Sequence, residues 1–169
     1  MAGIDSARRA AEIVRDAGGQ IVGRTRLQKI AFFLEAAGLG AGFPFRYKHY
    51  GPYSDLLAYA ALNASALRMI NEMEKVADWG GTYSIFTSQL DDGPNPVRAK
   101  LAQQMASADA VELELAATAT YLALEGHRDP WGETKRRKPE KSDSGRLDNA
   151  RRLYESLKRI PTPRSLPLI

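Results

Sequence analysis

Acid–base chemistry near neutral pH asks for a histidine or a poised carboxylate within reach of its target, and this chain has two histidines, His49 and His127. His49 sits in the basic, aromatic segment Phe45-Arg46-Tyr47-Lys48-His49-Tyr50, with no carboxylate beside it. His127 follows the end of an expected helix, where the dipole favours an imidazolium that caps carbonyls. Neither has a nucleophile partner, because Ser54 is better placed to cap a helix than to serve His49. The absence of cysteine excludes disulfides, thiolate metal sites and a cysteine nucleophile. Asp91-Asp92-Gly93 lacks the alternating ligands and distal Glu of a calcium loop. Gly38-Leu39-Gly40-Ala41-Gly42 lacks the Lys-Ser/Thr of a phosphate loop and does not join a strand to a helix, so it reads as a flexible connector. No catalytic residue, metal ligand or cofactor is expected, and the chain reads as a non-enzyme.

The residue types that remain suited to chemistry are cations. Lys135-Arg136-Arg137-Lys138 puts four positive charges in a row, with Lys141 close behind. Four adjacent cations cannot all pair internally, and Pro139 stops them from continuing a helix. They suit backbone phosphates, which reward charge without demanding sequence, and equally an acidic surface on a protein. From Thr134 onward the chain holds 11 basic and four acidic side chains, a surplus of seven, on a body of 133 residues that is net negative by three. A basic end of this kind suits a phosphate surface, an acidic partner, or simply solubility.

These groups need elements to hold them. Ile4, Ala7, Ala11 and Val14 follow helical spacing, and Gly18-Gly19 stops that helix. Thr25 and Gln28 form a capping-box pattern for a second helix, with Leu27, Ile30, Ala31 and Leu34 as its buried stripe, Phe33 at the margin and Gly38 at its close. Residues 43–50 alternate as an extended segment, Phe45, Tyr47 and His49 on one side and Arg46, Lys48 and Tyr50 on the other. Gly51-Pro52 signals a turn, and Ser54 caps a third helix with Leu56, Leu57, Ala60, Ala61 and Leu67 on its apolar side. Residues 66–78 fit helix or strand. The β-rich run Thr82–Thr87 after Gly80-Gly81 favours a hairpin, one strand near 70–78 and a return near 82–87. Asp91–Pro96 is a loop.

Pro96 opens a short helix ending near Ser107, and Asp109 caps a helix from Ala110 to Glu125 that is apolar nearly all round and therefore central. A loop around Asp129-Pro130-Trp131 leads to a last amphipathic helix marked by Leu147, Ala150, Leu153, Tyr154 and Leu157. Pro161, Pro163 and Pro167 make the last nine residues an extended, mobile tail. The fold class is mainly α with a small β-hairpin (α+β): one winged-helix-like domain over 1–160 with additional C-terminal helices, then a tail over 161–169. Without a signal-peptide core or any apolar run near the roughly 20 residues that span a bilayer, no membrane association and a cytoplasmic location are expected.

Two segments carry a family resemblance: Arg24-Thr25-Arg26-Leu27-Gln28-Lys29-Ile30, and Phe45–Ser54 ending in Tyr50-Gly51-Pro52-Tyr53-Ser54. A T-x-LQK helix start followed by YGPYS resembles the YwgA-like proteins and, more distantly, is similar to the Panacea domain of phage-associated proteins and antitoxins. The resemblance covers about residues 20 to 90, with 130–141 a further candidate feature. It implies a mostly helical domain with a small β element and neutralisation of a protein partner by direct contact. Read from the residues alone, the motif is a turn clamp. The alternative is a basic, aromatic rim of Arg24, Arg26, Lys29, Arg46, Lys48, His49, Tyr50 and Tyr53 for a partner or for phosphate and stacking contacts.

Two function readings follow. The first is a non-enzymatic module that binds a protein partner, antitoxin- or phage-defence-like. The alternative is a winged-helix-like nucleic-acid binder, its phosphate contacts made by Lys135, Arg136, Arg137, Lys138 and Lys141. The third helix, SDLLAYAALNASAL, has no Arg or Lys with which to read bases.

Overall fold

The computed structural model describes residues 2–169. Helices make up 51% of the chain and strands 14%, an α+β fold dominated by helix. The order is α1 (Ala2–Asp16), β1 (Gln20–Val22), α2 (Arg24–Ala36), β2 (Arg46–Lys48), β3 (Gly51–Tyr53), α3 (Asp55–Ala66), β4 (Ile70–Val76), β5 (Thr82–Ser88), α4 (Pro96–Ala106), α5 (Ala110–Leu124), α6 (Pro130–Arg137) and α7 (Arg146–Lys158). One antiparallel sheet runs β1-β5-β4, and β2 pairs with β3 in a separate two-stranded hairpin. In the larger sheet Ile21 opposes Phe86 and Met73 opposes Ile85. No helix is long and apolar enough to cross a membrane among the described residues.

The ambiguous stretch resolves as a hairpin, because the Gly80-Gly81 turn lets Ala77 N–H reach the Gly81 carbonyl and close the two strands. Two helix caps match expectation: Ser54 Oγ accepts from Leu57 N–H, and Asp109 Oδ1 from Val111 and Glu112. Asn95 caps α4 in the same way, its Oδ1 accepting from Val97 and Arg98. α5 lies at the centre, packed against α2, α6 and α7, with Leu113, Leu115, Ala116, Ala117, Ala119 and Leu122 buried on all its sides. Being enclosed all round, it also carries Glu114, Thr118 and Thr120 into the interior, and both threonine hydroxyls bond back to carbonyls one turn earlier.

Five local expectations need correction. The Thr25/Gln28 capping box does not form: Gly23, at φ 96°, occupies the N-cap without a side-chain bond, and Gln28 turns to another partner described below. Phe33 is fully buried, not marginal. Leu56 and Leu67 of the third helix, and Ile4 of the first, face outward. Gly51-Pro52 belongs to a strand, and the turn falls at His49-Tyr50. Asp129-Pro130-Trp131 is the start of a helix and not a loop: Asp129 accepts from Gly132 N–H, Pro130 takes the first turn, and Trp131 packs edge-on to Tyr154 at 6.1 Å.

The last nine residues are extended and tied to the core. Arg164 N–H donates to the Ala37 carbonyl, Leu166 is buried, and the Tyr154 hydroxyl donates to the Pro167 carbonyl. The glycine connector wraps one side chain: Glu35 Oε1 accepts from Gly42 and Phe43 N–H, and a Cβ on Gly40 would fall inside the Glu35 carboxyl.

Candidate functional site

The two motif segments meet. From one turn of α2, Gln28 and Lys29 reach the strand that carries Gly51-Pro52-Tyr53 and the cap that follows. Gln28 Nε2 donates to the Ser54 carbonyl at 2.9 Å, and Gln28 Oε1 accepts from Ser54 N–H at 2.8 Å. Lys29 Nζ donates to the Pro52 carbonyl at 2.8 Å. Gln28, Lys29 and Ser54 are all buried, so each bond satisfies a group that water does not reach. Gly51 fits because its α-carbon faces Thr118 of α5: a Cβ there would lie 2.6 Å from Thr118 Oγ1, and φ is 90° besides. The turn-clamp reading of the motif therefore has a physical basis, although it is a strand and a helix cap that are clamped.

Behind this clamp lies a buried group of charges. Glu114 of α5 accepts from Lys141 Nζ at 3.0 and 2.8 Å and pairs with Lys138 Nζ at 3.0 Å. Lys138 also donates to the His49 carbonyl at 3.0 Å. Lys29 is close enough to feel the same carboxylate. Its burial pushes the amine down from 10.5 to about 7, Glu114 opposing and Lys138 and Lys141 adding to the fall.

The remaining residues of the expected rim do not form one surface. Arg24 pairs with Glu72 on β4 at 2.8 Å. Arg26 donates to the Val22 and Ala108 carbonyls, a structural tie between β1 and the start of α5. Arg46 and Lys48 both hold Asp55 at 2.7 Å, and Lys48 lies 4.5 Å from the centre of the Tyr53 ring. The Lys48 and Arg46 hydrogen bonds hold the Asp55 carboxyl below its usual range. The predicted alternation holds through Lys48, with Phe45 against Phe32 and Tyr47 against Tyr121. It ends at His49 and Tyr50, which form the exposed turn.

Three of the four cations in the basic run find a carboxylate within the chain: Arg136 and Arg137 share Glu133 at 2.8 and 3.2 Å, while Lys138 shares Glu114 with Lys141. The run continues α6 to Arg137, and Lys138 is the C-cap before Pro139. Lys135 is exposed and makes no ion pair among the described residues. Folding brings Arg137 over the Tyr47 ring at 4.8 Å and Lys141 over the Tyr50 ring at 4.8 Å. His49 of the first expected set thus joins Arg137, Lys138 and Lys141 of the second around one open cleft, and the Tyr50 ring of the first set lies against Lys141.

Glu114 and Thr118 were not legible as site residues. In sequence they are two polar positions on a helix whose other residues announce a core. A further cleft, of about 180 Å³, lies between α2, α3 and the sheet and is lined in part by Arg24, Leu27, Tyr53, Leu62, Glu72 and Phe86. No group of three His, Asp or Glu side chains suited to a metal ion occurs among the described residues.

No family model, no curated protein and no solved structure matches the chain.

Proposed function

We propose that the protein is a non-enzymatic binding module that grips a protein partner through the outward face of α3. One observation carries this reading. Tyr59 and Leu62 are 67% and 62% exposed and Leu56 is 46% exposed, on a helix without a single basic residue. Leu62 also borders the cleft rimmed by Arg24 and Glu72, so an apolar side chain from a partner has both a pocket and polar neighbours. The resemblance to YwgA-like and Panacea proteins supports the same class of partner, antitoxin- or phage-defence-like.

The order α1-β1-α2-α3-β4-β5 with a β1-β5-β4 sheet supports a winged-helix-like description, in which α3 stands where a groove-reading helix would. Its exposed leucines and tyrosine suit an apolar protein surface better than base edges. The nucleic-acid alternative draws less support, since Arg136, Arg137, Lys138 and Lys141 each have a carboxylate partner.

The test is affinity capture with the wild-type chain and with Tyr59→Asp and Leu62→Asp. A protein recovered by the wild type and lost from both variants, with folding intact by circular dichroism, supports the reading. Equal recovery by all three, or binding only to nucleic acid with a steep salt dependence, overturns it.

A further inference from the structure

Between the β2–β3 hairpin and the end of α6 lies an open cleft of about 520 Å³, walled by Tyr47, His49, Arg137, Lys138 and Lys141, with Glu140 at its rim. Its charges do not balance. Two ammonium groups (Lys138 and Lys141) share the single carboxylate of Glu114, and two guanidinium groups (Arg136 and Arg137) share the single carboxylate of Glu133. Counting Glu140 as a third carboxylate, these four cations exceed the acids by one, and Lys29, its pKa lowered to about 7, adds part of a further charge. Lys29 and Lys138 are buried and Lys141 is about two-thirds shielded, so solvent screens this excess less than it would on an open surface.

We propose that this cleft binds a phosphate group, Arg137 and Lys141 donating to its oxygens and Lys138 lying behind them. A guanidinium and an ammonium lining one space, with positive charge in excess, match a phosphate anion in the sign of its charge and in donor geometry. The two donors are already oriented, each lying over a tyrosine ring. The occupant is a single phosphate and not a nucleic-acid strand, because of the neighbouring cations only Lys135 is without an ion pair among the described residues, while Arg46 and Lys48 hold Asp55 and Arg136 holds Glu133. The inference is independent of the protein-partner reading and uses none of the α3 residues on which that reading rests.

The full chain is titrated at pH 7 with sodium phosphate and, separately, with AMP, followed by calorimetry and by the NMR signals of His49, with sodium chloride at matched ionic strength as the control. Saturable binding of phosphate is expected, with movement of His49 signals. Arg137→Ala and Lys141→Ala should each weaken it roughly tenfold or more, while Arg159→Ala leaves it unchanged. Equal affinity for the two probes assigns the site to free phosphate. Tighter AMP binding assigns it to a nucleotide whose base rests on the exposed Tyr50 ring. Should Lys141→Ala fail to fold, Arg137→Ala decides alone, since its side chain lies at the surface. No saturation with either probe in the millimolar range, or variants that bind as the wild type does, overturns the assignment.

Discussion

The Lys29 ammonium lies 2.8 Å from the carbonyl oxygen of Pro52, and no part of the residue reaches solvent. A lone cation is costly to bury. This one is tolerated because it satisfies a buried carbonyl, because Glu114 lies within range of it, and because its pKa has fallen toward neutrality. Together with Gln28 it makes one turn of α2 the fastener that holds the β2–β3 hairpin and the cap of α3 on the central helix.

That geometry makes stability depend on pH in a defined direction. The Lys29 pKa is about 7 in the folded chain and 10.5 when exposed, so between those values the unfolded chain holds the extra proton. Stability therefore rises as pH climbs from about 7, and below 7 the cost of the buried charge is fully present. Tyr154 acts oppositely above pH 10, where burial keeps its phenol protonated after the unfolded chain has lost that proton. Urea midpoints should rise from pH 7 toward 10 and then turn down. In Lys29→Met the rise should vanish, and a wild-type profile that is flat or falling across pH 7 to 9.5 contradicts the account.

Gln28→Leu removes both bonds to Ser54 and leaves its buried N–H without a partner, while the Ser54 carbonyl keeps its bond from Ala58 N–H. The expected loss is about 1–3 kcal/mol by chemical denaturation, the cost of one orphaned buried group. Gln28→Glu keeps the acceptor and loses the donor, and should be destabilised at neutral pH as well. A Gln28→Leu protein within 0.5 kcal/mol of wild type, the scatter of ordinary surface changes, would show that the clamp adds nothing.

Gly51→Ala combines a positive φ with a Cβ 2.6 Å from Thr118 Oγ1. The left-handed backbone alone costs about 1–2 kcal/mol, and the overlap adds to it. Thr118→Ala takes away the overlapping hydroxyl while the backbone strain stays. The double variant should accordingly be more stable than the sum of the two single losses predicts, a coupling readable in a double-mutant cycle. Strict additivity would place the clash elsewhere.

Glu114→Gln takes the only carboxylate from among Lys29, Lys138 and Lys141. Removing one partner of a buried ion pair costs about 3–5 kcal/mol, and a loss of that order is expected in thermal or urea unfolding. Adding Lys138→Met should recover part of it, because the buried cation left without a partner is then gone too. A Glu114→Gln protein as stable as the wild type would mean that the cluster is open to water.

Much of the architecture could be read from local pattern. The hairpin at 70–88, the caps Ser54 and Asp109, and the central place of α5 all depend on residues within a few positions of one another, where turn chemistry and helical spacing act directly. α6 is poorly legible locally: Asp129-Pro130 is a sound start signal, but Gly132 in its first turn and a run of like charges at its end oppose a helix until Glu133 and the core compensate. The Thr25/Gln28 pattern misled for the opposite reason: a capping box and a long-range clamp ask for the same residue type at the same spacing.

What the chain's order alone determined was where most helices begin, where the hairpin at 70–88 turns, that α5 is central, and that cations accumulate near the end. Tertiary structure alone decided what those cations do. Lys138 and His49 are 89 positions apart, and Glu114 is invisible as a counter-charge until α5 is enclosed on every side. Charges act through distance and local dielectric, and neither exists until the helices have closed around them.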